Sequence, residues 1–89
     1  MLEQQITIIN KLGLHARAAA KLVSTASGYG AEVNLVKEGQ TVNAKSIMGV
    51  MMLAASQGTE LTLTTEGEDE QEAMTAITNL VQDYFGEGG

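Results

Sequence analysis

Three residues near the start of the chain, Gly13, His15 and Arg17, have the types and spacing that could serve anion chemistry. His15 is the only histidine, and it stands where the pattern predicts the start of a helix. The first N–H groups of a helix lack partners within it, the helix dipole places partial positive charge there, and Arg17 adds a full charge. The segment therefore favours an anion such as a phosphate, either held as a ligand or attached to the imidazole.

The same positive field disfavours a protonated imidazolium at His15, which leaves the lone pair that attack on phosphorus requires. A single histidine is nevertheless more often a capping or surface residue, and Arg17 alone is more often a solvated helix residue. Spacing by itself thus predicts an anion-friendly helix start, and both the structural and the nucleophilic interpretation of His15 stay open.

The charges of the 89-residue chain are unevenly distributed. Residues 1–59 hold all five bases against three acids, a net charge of +2, whereas residues 60–89 hold eight acids and no base. With five bases and a total of −6, the chain is not expected to bind nucleic acid. The stretch from Lys11 to Ala31 contains three bases and no acid, which suits an acidic partner or an added anion, or is simply a solvated face.

Alternating apolar and polar residues predict four strands, and residues spaced three and four apart predict three helices. The strands are residues 2–8, two arms of a hairpin within 31–44, and 60–66. The first helix covers 16–26 with Gly28 as a left-handed cap, and the second covers 47–54. The third presents one apolar face and begins at a capping box formed by Asp69 and Glu72. That face contains Ala73, Ile77, Leu80, Val81 and Tyr84.

The order β-α-β-β-α-β-α predicts an α+β fold in which three helices cover one face of a four-stranded sheet. Residues 1–89 are expected to form one domain, with residues 86–89 frayed. The chain has no cysteine, and its apolar runs are too short to span a bilayer. We therefore expect a cytoplasmic protein without membrane insertion, and we expect neither a bound metal nor a cofactor.

Two separated motifs resemble those of the HPr family of phosphocarrier proteins. Residues 13–20, Gly-Leu-His-Ala-Arg-Ala-Ala-Ala, are similar to the family's active-site signature, and residues 43–50, Asn-Ala-Lys-Ser-Ile-Met-Gly-Val, are similar to its regulatory-serine region. Residues 58–72 resemble its last strand and the start of its final helix. Two motifs at the family's spacing are a stronger signal than one short pattern.

The resemblance implies an open-faced β-sandwich with a four-stranded antiparallel sheet. It also implies a phosphocarrier, not an enzyme, of the phosphoenolpyruvate-dependent phosphotransferase system. His15 would accept a phosphoryl group from Enzyme I on its pros nitrogen, Nδ1, and pass it to an Enzyme IIA protein, while Arg17 would stabilise the phosphate. One departure is Ala18, because most members of the family have proline there; alanine leaves one more donor and a freer backbone at the helix start.

Ser46 is the second candidate site. A serine just before an apolar helical run is a good N-cap, and the resemblance implies that an HPr kinase/phosphorylase phosphorylates it in organisms that possess this enzyme. We also expect a partner-binding surface beside His15 on the first two helices, where exposed methionines would form an adaptable patch and others would join the core. Its residues are Ala16, Ala20, Lys21, Ile47, Met48 and Met51.

Several alternatives stay open at this point. The chain could serve the sugar branch or the nitrogen-related branch of the system. It could instead be a regulatory module that acts only through Ser46 and partner docking, although such a module has no need of His15. The element order alone would also permit a ferredoxin-like effector-binding domain, which leaves the motif at residues 13–17 unexplained. In each phosphocarrier case we expect a monomer.

Overall fold

The structure is a computed structural model that describes residues 1–88. It contains four strands, three α-helices and a short C-terminal 3₁₀ turn at Tyr84–Gly86. The strands are β1 (Leu2–Thr7), β2 (Glu32–Lys37), β3 (Gln40–Asn43) and β4 (Glu60–Glu66), and the helices are α1 (Ala16–Ser27), α2 (Ile47–Met52) and α3 (Glu70–Gln82).

The strands form one antiparallel sheet in the order β1-β4-β2-β3. The two central strands are β4 and β2, so Leu35 on β2 pairs with both Leu63 on β4 and Val42 on β3. The predicted hairpin is confirmed by the pairing of β2 with β3. The α+β open-faced sandwich of four strands and three helices is also confirmed.

The alternation along the central strands determines where the core lies. Leu61, Leu63 and Thr65 on β4 are buried and face the helices, while the intervening positions line the other side of the sheet. The helices cover the buried side with residues such as Leu22 and Ile77, both fully buried. The opposite face carries mostly polar side chains. No helix in residues 1–88 is long and apolar enough to cross a membrane.

Two predicted helix caps are wrong in their details. Gly28 is right-handed, with φ of −76°. Its N–H donates to the carbonyl of Thr25 and the N–H of Tyr29 donates to that of Ala26, each at 3.2 Å, so the helical backbone continues through the cap. Asp69 precedes α3 but makes no side-chain cap bond. Its carboxylate instead accepts hydrogen bonds from the backbone N–H groups of Gly30 (2.9 Å) and Ala31 (2.8 Å). A tertiary contact has therefore replaced the local capping box.

The C-terminal segment also departs from the predicted pattern. Tyr84, expected on the apolar face of α3, lies beyond the helix and is 39% exposed, whereas Phe85 is fully buried. Tyr84, Phe85 and Gly86 all have positive φ, between 53° and 75°, which turns the chain back after α3. Gly86 and Glu87 lie in the segment expected to fray, and their N–H groups donate to the carbonyls of Asp83 and Tyr84 at 2.9 Å each. The fraying of residues 86–89 stays a prediction, and Gly89 lies outside the described residues.

Candidate functional site

His15 is the N-cap of α1. Its backbone is extended, with φ of −74° and ψ of 178°, and its carbonyl accepts a hydrogen bond from the N–H of Ala19 at 2.8 Å. Its ring also serves the cap, because Nδ1 accepts from the backbone N–H of Arg17 at 3.3 Å. The site therefore combines a capping histidine with a helix N-terminus, and the ring nitrogen that faces the helix carries a lone pair.

Gly13 controls how the chain reaches His15. Its φ is +69°, and a Cβ placed there would lie 2.6 Å from the carbonyl oxygen of Ala55 and 2.8 Å from the Cα of Ser56. The close approach lets the N–H of Leu14 donate to the same Ala55 carbonyl at 2.8 Å. Only glycine permits both this left-handed backbone and this contact, so the residue before the motif aligns it against the 55–56 loop.

The second ring nitrogen of His15 meets the C-terminal segment. Nε2 contacts Oε2 of Glu87, and the other carboxylate oxygen of Glu87 accepts from the side-chain amide of Asn10 at 3.0 Å. The Asn10 amide also donates to the carbonyl of Gly13 at 2.8 Å. Asn10 is fully buried, so a fixed interior group joins the loop before α1 to the segment after α3.

Electrostatics keep Glu87 ionised. The hydrogen bond from Asn10 lowers the pKa of Glu87, partial desolvation opposes that effect, and His15 and Lys21 lower the pKa further. Since a carboxylate can only accept hydrogen bonds, the proton between it and the ring belongs on Nε2 of His15. The tautomer that fits this geometry thus has Nε2–H and an unprotonated Nδ1.

An open depression surrounds the ring, and the His15 side chain is 29% exposed. Within residues 1–88, the side chains of Lys11 and Arg17 make no hydrogen bond or ion pair, whereas Lys21 Nζ donates to the carbonyl of Phe85 at 2.6 Å. No three histidine or acidic side chains of the described part cluster as metal ligands. The depression is lined by Lys11, Leu12, His15, Ala16, Arg17, Lys21, Gly86 and Glu87.

Ser46 is the N-cap of α2, and its Oγ accepts from the N–H of Gly49 at 3.2 Å. The expected apolar surface beside it is exposed: Met48 is 69% exposed, and Ile47 and Met51 are each about two fifths exposed. Helix α1 packs against α2. The α1 residues expected on this surface, Ala16, Ala20 and Lys21, are exposed as well.

Two residues at this site, Asn10 and Glu87, do not belong to the motifs that predict it from the sequence. From the sequence, Asn10 looks like an ordinary loop residue after β1, and Glu87 looks like part of a glycine-rich tail. A signal existed for Glu87 only, because an acid-free basic stretch and a base-free acidic segment in one small chain are expected to attract each other. No local pattern marks the uncharged Asn10.

Comparisons with known proteins agree with this structure. A family model described as "PTS HPr component phosphorylation site" matches residues 2–83. The phosphocarrier protein HPr of Neisseria meningitidis serogroup A is 59% identical over 88 residues, which cover 99% of each chain. A crystal structure of HPr from Thermoanaerobacter tengcongensis superposes with a TM-score of 0.95, at 49% identity and 98% coverage of each chain.

A further similar structure is that of Crh from Bacillus subtilis, described as a catabolite repression protein that forms a swapped dimer. It is 49% identical, with a TM-score of 0.75, and the match covers 93% of this chain and 95% of Crh. Both the sequence match and the fold extend over nearly the whole chain. The protein therefore belongs to the HPr family of phosphocarrier proteins, non-enzymatic components of the phosphotransferase system (PTS).

Proposed function

We propose that His15 accepts a phosphoryl group from phospho-Enzyme I and passes it to an Enzyme IIA protein in the cytoplasm. One observation carries the proposal: Nδ1 of His15 carries its lone pair at the N-terminus of α1, in an open depression, where it accepts only a long hydrogen bond of 3.3 Å from the Arg17 N–H that a phosphoryl group would displace. A nucleophile in that place can be reached by two different partner proteins in turn.

The phosphoryl transfer needs no reactant besides the donor and the His15 ring. The Nδ1 lone pair of His15 attacks phosphorus, a P–N bond forms, and the bond from phosphorus to the donor breaks with its electron pair left on the donor. Release to an acceptor reverses these roles. Each 1.4 kcal/mol or so of extra stabilisation would bias the transfer about tenfold, so a shallow site suits a carrier better than a deep phosphate clamp.

Arg17 is the residue we assign to phosphate stabilisation. Its side chain is exposed and makes no hydrogen bond within residues 1–88. It is therefore available to pair with phosphate oxygens, which planar guanidinium groups bind in a bidentate manner. The backbone N–H groups of the first turn supply further donors, and Ala18 adds one that a proline would lack.

We assign partner docking to the exposed surface on α1 and α2. Ile47, Met48 and Met51 give it an apolar centre, and Lys21 contributes positive charge at its edge. Methionine side chains adapt their shape to different partners, which suits a carrier that must contact both a donor and an acceptor. The two helices pack together, and the N–H of Leu14, just before His15, donates to the carbonyl of Ala55, just after α2, at 2.8 Å. Docking on the patch would therefore bring a partner near the His15 end of α1.

We also propose that Ser46 is a regulatory site for an HPr kinase/phosphorylase. Its Oγ caps α2, and a phosphate there would add about −1.5 to −2 charges beside the proposed docking surface. Treatment with HPr kinase and ATP should produce an acid-stable label that Ser46→Ala abolishes. Absence of that label, or its persistence in Ser46→Ala, would contradict the proposal.

The choice between the sugar branch and the nitrogen-related branch can be decided by the acceptor. Purified, phosphorylated protein should transfer its label to the Enzyme IIA of the branch it serves and much more slowly to the other. A purely regulatory protein would transfer no label to either.

We also propose a monomer, which predicts a solution mass near the 9.4 kDa of one chain.

The central test is incubation with phosphoenolpyruvate, Mg²⁺ and Enzyme I. Wild-type protein should acquire an acid-labile, base-stable phosphate, and His15→Ala should acquire none while retaining its fold. Because His15 also caps α1, the variant His15→Asn, which keeps a capping side chain, controls for helix loss. An unlabelled wild-type protein, or a label that survives in His15→Asn, would refute the proposed function.

A further inference from the structure

We infer that Glu87 is a positioning residue for phosphoryl transfer: its carboxylate holds the proton of His15 on Nε2 and stabilises the positive ring that forms when Nδ1 binds phosphorus. The inference rests on the proposed role of His15 as the phosphoryl acceptor. It assigns a task to the C-terminal segment, which the sequence motifs do not include.

The segment that carries Glu87 is held by several independent contacts. Phe85 is fully buried, and its carbonyl accepts a hydrogen bond from Lys21 Nζ at 2.6 Å. Three successive residues with positive φ, at Tyr84, Phe85 and Gly86, reverse the chain after α3. Non-glycine residues adopt that backbone only at a cost, so the contacts that hold the segment must offset it.

Asn10 fixes the Glu87 carboxylate from the other side. Its side-chain nitrogen donates to Glu87 Oε1 at 3.0 Å and to the Gly13 carbonyl at 2.8 Å. A fully buried amide with two directed hydrogen bonds has little freedom to move. The orientation of the Glu87 carboxylate is thereby tied to the same loop that positions His15.

The chemistry follows from the two ring nitrogens. A neutral imidazole has one N–H and one lone pair, and the carboxylate of Glu87 places the N–H at Nε2. The lone pair is then on Nδ1, where attack on phosphorus replaces the 3.3 Å hydrogen bond from the Arg17 N–H. When Nδ1 forms its bond to phosphorus, the proton stays on Nε2 and the ring becomes cationic. A carboxylate at Nε2 stabilises that cation, as carboxylates paired with histidine do in hydrolases and metal sites.

The same contact also serves release. While Nε2 keeps its proton, the ring leaves phosphorus as neutral imidazole, and no anionic ring has to form. The charged groups around the ring have different roles. Arg17, Lys11 and Lys21 attract the phosphate, and Glu87 compensates the positive charge of the phosphorylated ring. Glu87 therefore assists both the uptake and the release of the phosphoryl group, although it does not contact that group.

The test uses a small donor, phosphoramidate, which phosphorylates histidine with loss of ammonia and needs no Enzyme I. Wild-type protein, Glu87→Ala and Glu87→Gln are compared, with Glu3→Ala as a control that removes an exposed carboxylate on β1. Long-range ¹H–¹⁵N spectra of the imidazole report which nitrogen carries the proton, and the rate of label formation at His15 reports its reactivity. Amide spectra verify that each variant is folded.

We expect one tautomer with Nε2–H in the wild type and in Glu3→Ala, and a mixture of tautomers in Glu87→Ala. Labelling should slow about tenfold in Glu87→Ala and less in Glu87→Gln, whose amide oxygen can still accept the Nε2 proton. A folded Glu87→Ala with either the wild-type tautomer or the wild-type rate would overturn the inference. Labelling by phosphoramidate but not by Enzyme I would instead contradict the proposed function and leave the result for Glu87 standing.

Discussion

At the scale of single residues, the site depends on side chains and backbone conformations that no other residue type can supply. Gly13 is the clearest case, because its left-handed backbone brings the chain into contact with the backbone of the 55–56 loop. His15 then combines three interactions: its carbonyl begins the hydrogen bonding of α1, Nδ1 accepts from the helix, and Nε2 contacts Glu87. A small error in the turn at Gly13 would therefore misplace the ring as well as the helix.

Gly13→Ala should lower the free energy of unfolding by about 2–4 kcal/mol, because it adds backbone strain and forces a Cβ against two backbone atoms. Gly39→Ala is the matched control: its φ is +83°, yet a Cβ there would meet nothing within 4 Å, so its cost should be about 1 kcal/mol. Urea unfolding at pH 7 measures both. Equal losses in the two variants would show that the contact with the 55–56 loop contributes nothing.

At the scale of elements, side chains join parts of the chain that are distant in sequence. The Asp69 carboxylate, at the start of α3, accepts from the N–H groups of Gly30 and Ala31 in the loop between α1 and β2. Lys45 Nζ donates to the carbonyl of Tyr29 in the same loop at 2.7 Å. The loop after α1 is thus fixed by polar groups from two other connections, and α1 is held at its C-terminal end as well as at His15.

The Asp69 contact makes a prediction about acid stability. The hydrogen bond from Gly30 is the largest cause that lowers the pKa of Asp69 below its ordinary 3.8, against a partial desolvation effect. A lowered pKa in the folded state means that the stabilisation is complete above the unfolded value and disappears as the pH falls through the folded value. Asp69→Asn should therefore be less stable than the wild type at pH 7, with the difference shrinking below about pH 4.

Thermal unfolding from pH 7 down to pH 2.5 would measure this difference. Glu68→Gln provides the control, since Glu68 is exposed and makes no hydrogen bond within residues 1–88. It should match the wild type across the range. A difference between Asp69→Asn and the wild type that stays constant down to pH 2.5 would contradict the assignment.

At the scale of the whole molecule, basic and acidic side chains occupy different parts of the structure. The basic stretch of residues 11–31 surrounds His15, and most of the acidic residues of the C-terminal third lie elsewhere, on β4, on α3 and in the turn between them. Glu87 is an exception, because its carboxylate contacts the His15 ring within the basic stretch. Helix α2 packs against α1 and exposes Met48 and Met52, each to about two thirds, so apolar surface remains that its own packing does not use.

A carboxylate placed in that patch should separate docking from chemistry. Met48→Asp should raise the KM for transfer from Enzyme I about tenfold, because a charge would be desolvated at the centre of the proposed interface. Labelling by phosphoramidate should be unchanged, since the ring is untouched. Asn79→Asp, on the exposed side of α3, adds a similar charge and should alter neither rate. Unchanged transfer from Enzyme I in Met48→Asp would exclude this patch as the docking surface.

The sequence alone predicts much of this architecture, because strands and helices are encoded by local periodicity. Strand β4 has the predicted bounds, 60–66, and the starts of α1 and α2 follow from a motif and a capping serine. The errors fall where a tertiary contact competes with a local rule. Asp69 leaves the capping box to bind Gly30 and Ala31, and Phe85, absent from the predicted apolar face, is buried after a reversal of the backbone.

The sequence by itself determined that a histidine stands at a helix N-terminus with an arginine two residues on, since both features depend on neighbouring residues. Only the tertiary structure decided what meets the other side of the ring. Glu87 lies 72 positions from His15, and no local periodicity links the two. They come together because Asn10, Lys21 and the burial of Phe85 fold the C-terminal segment back onto α1.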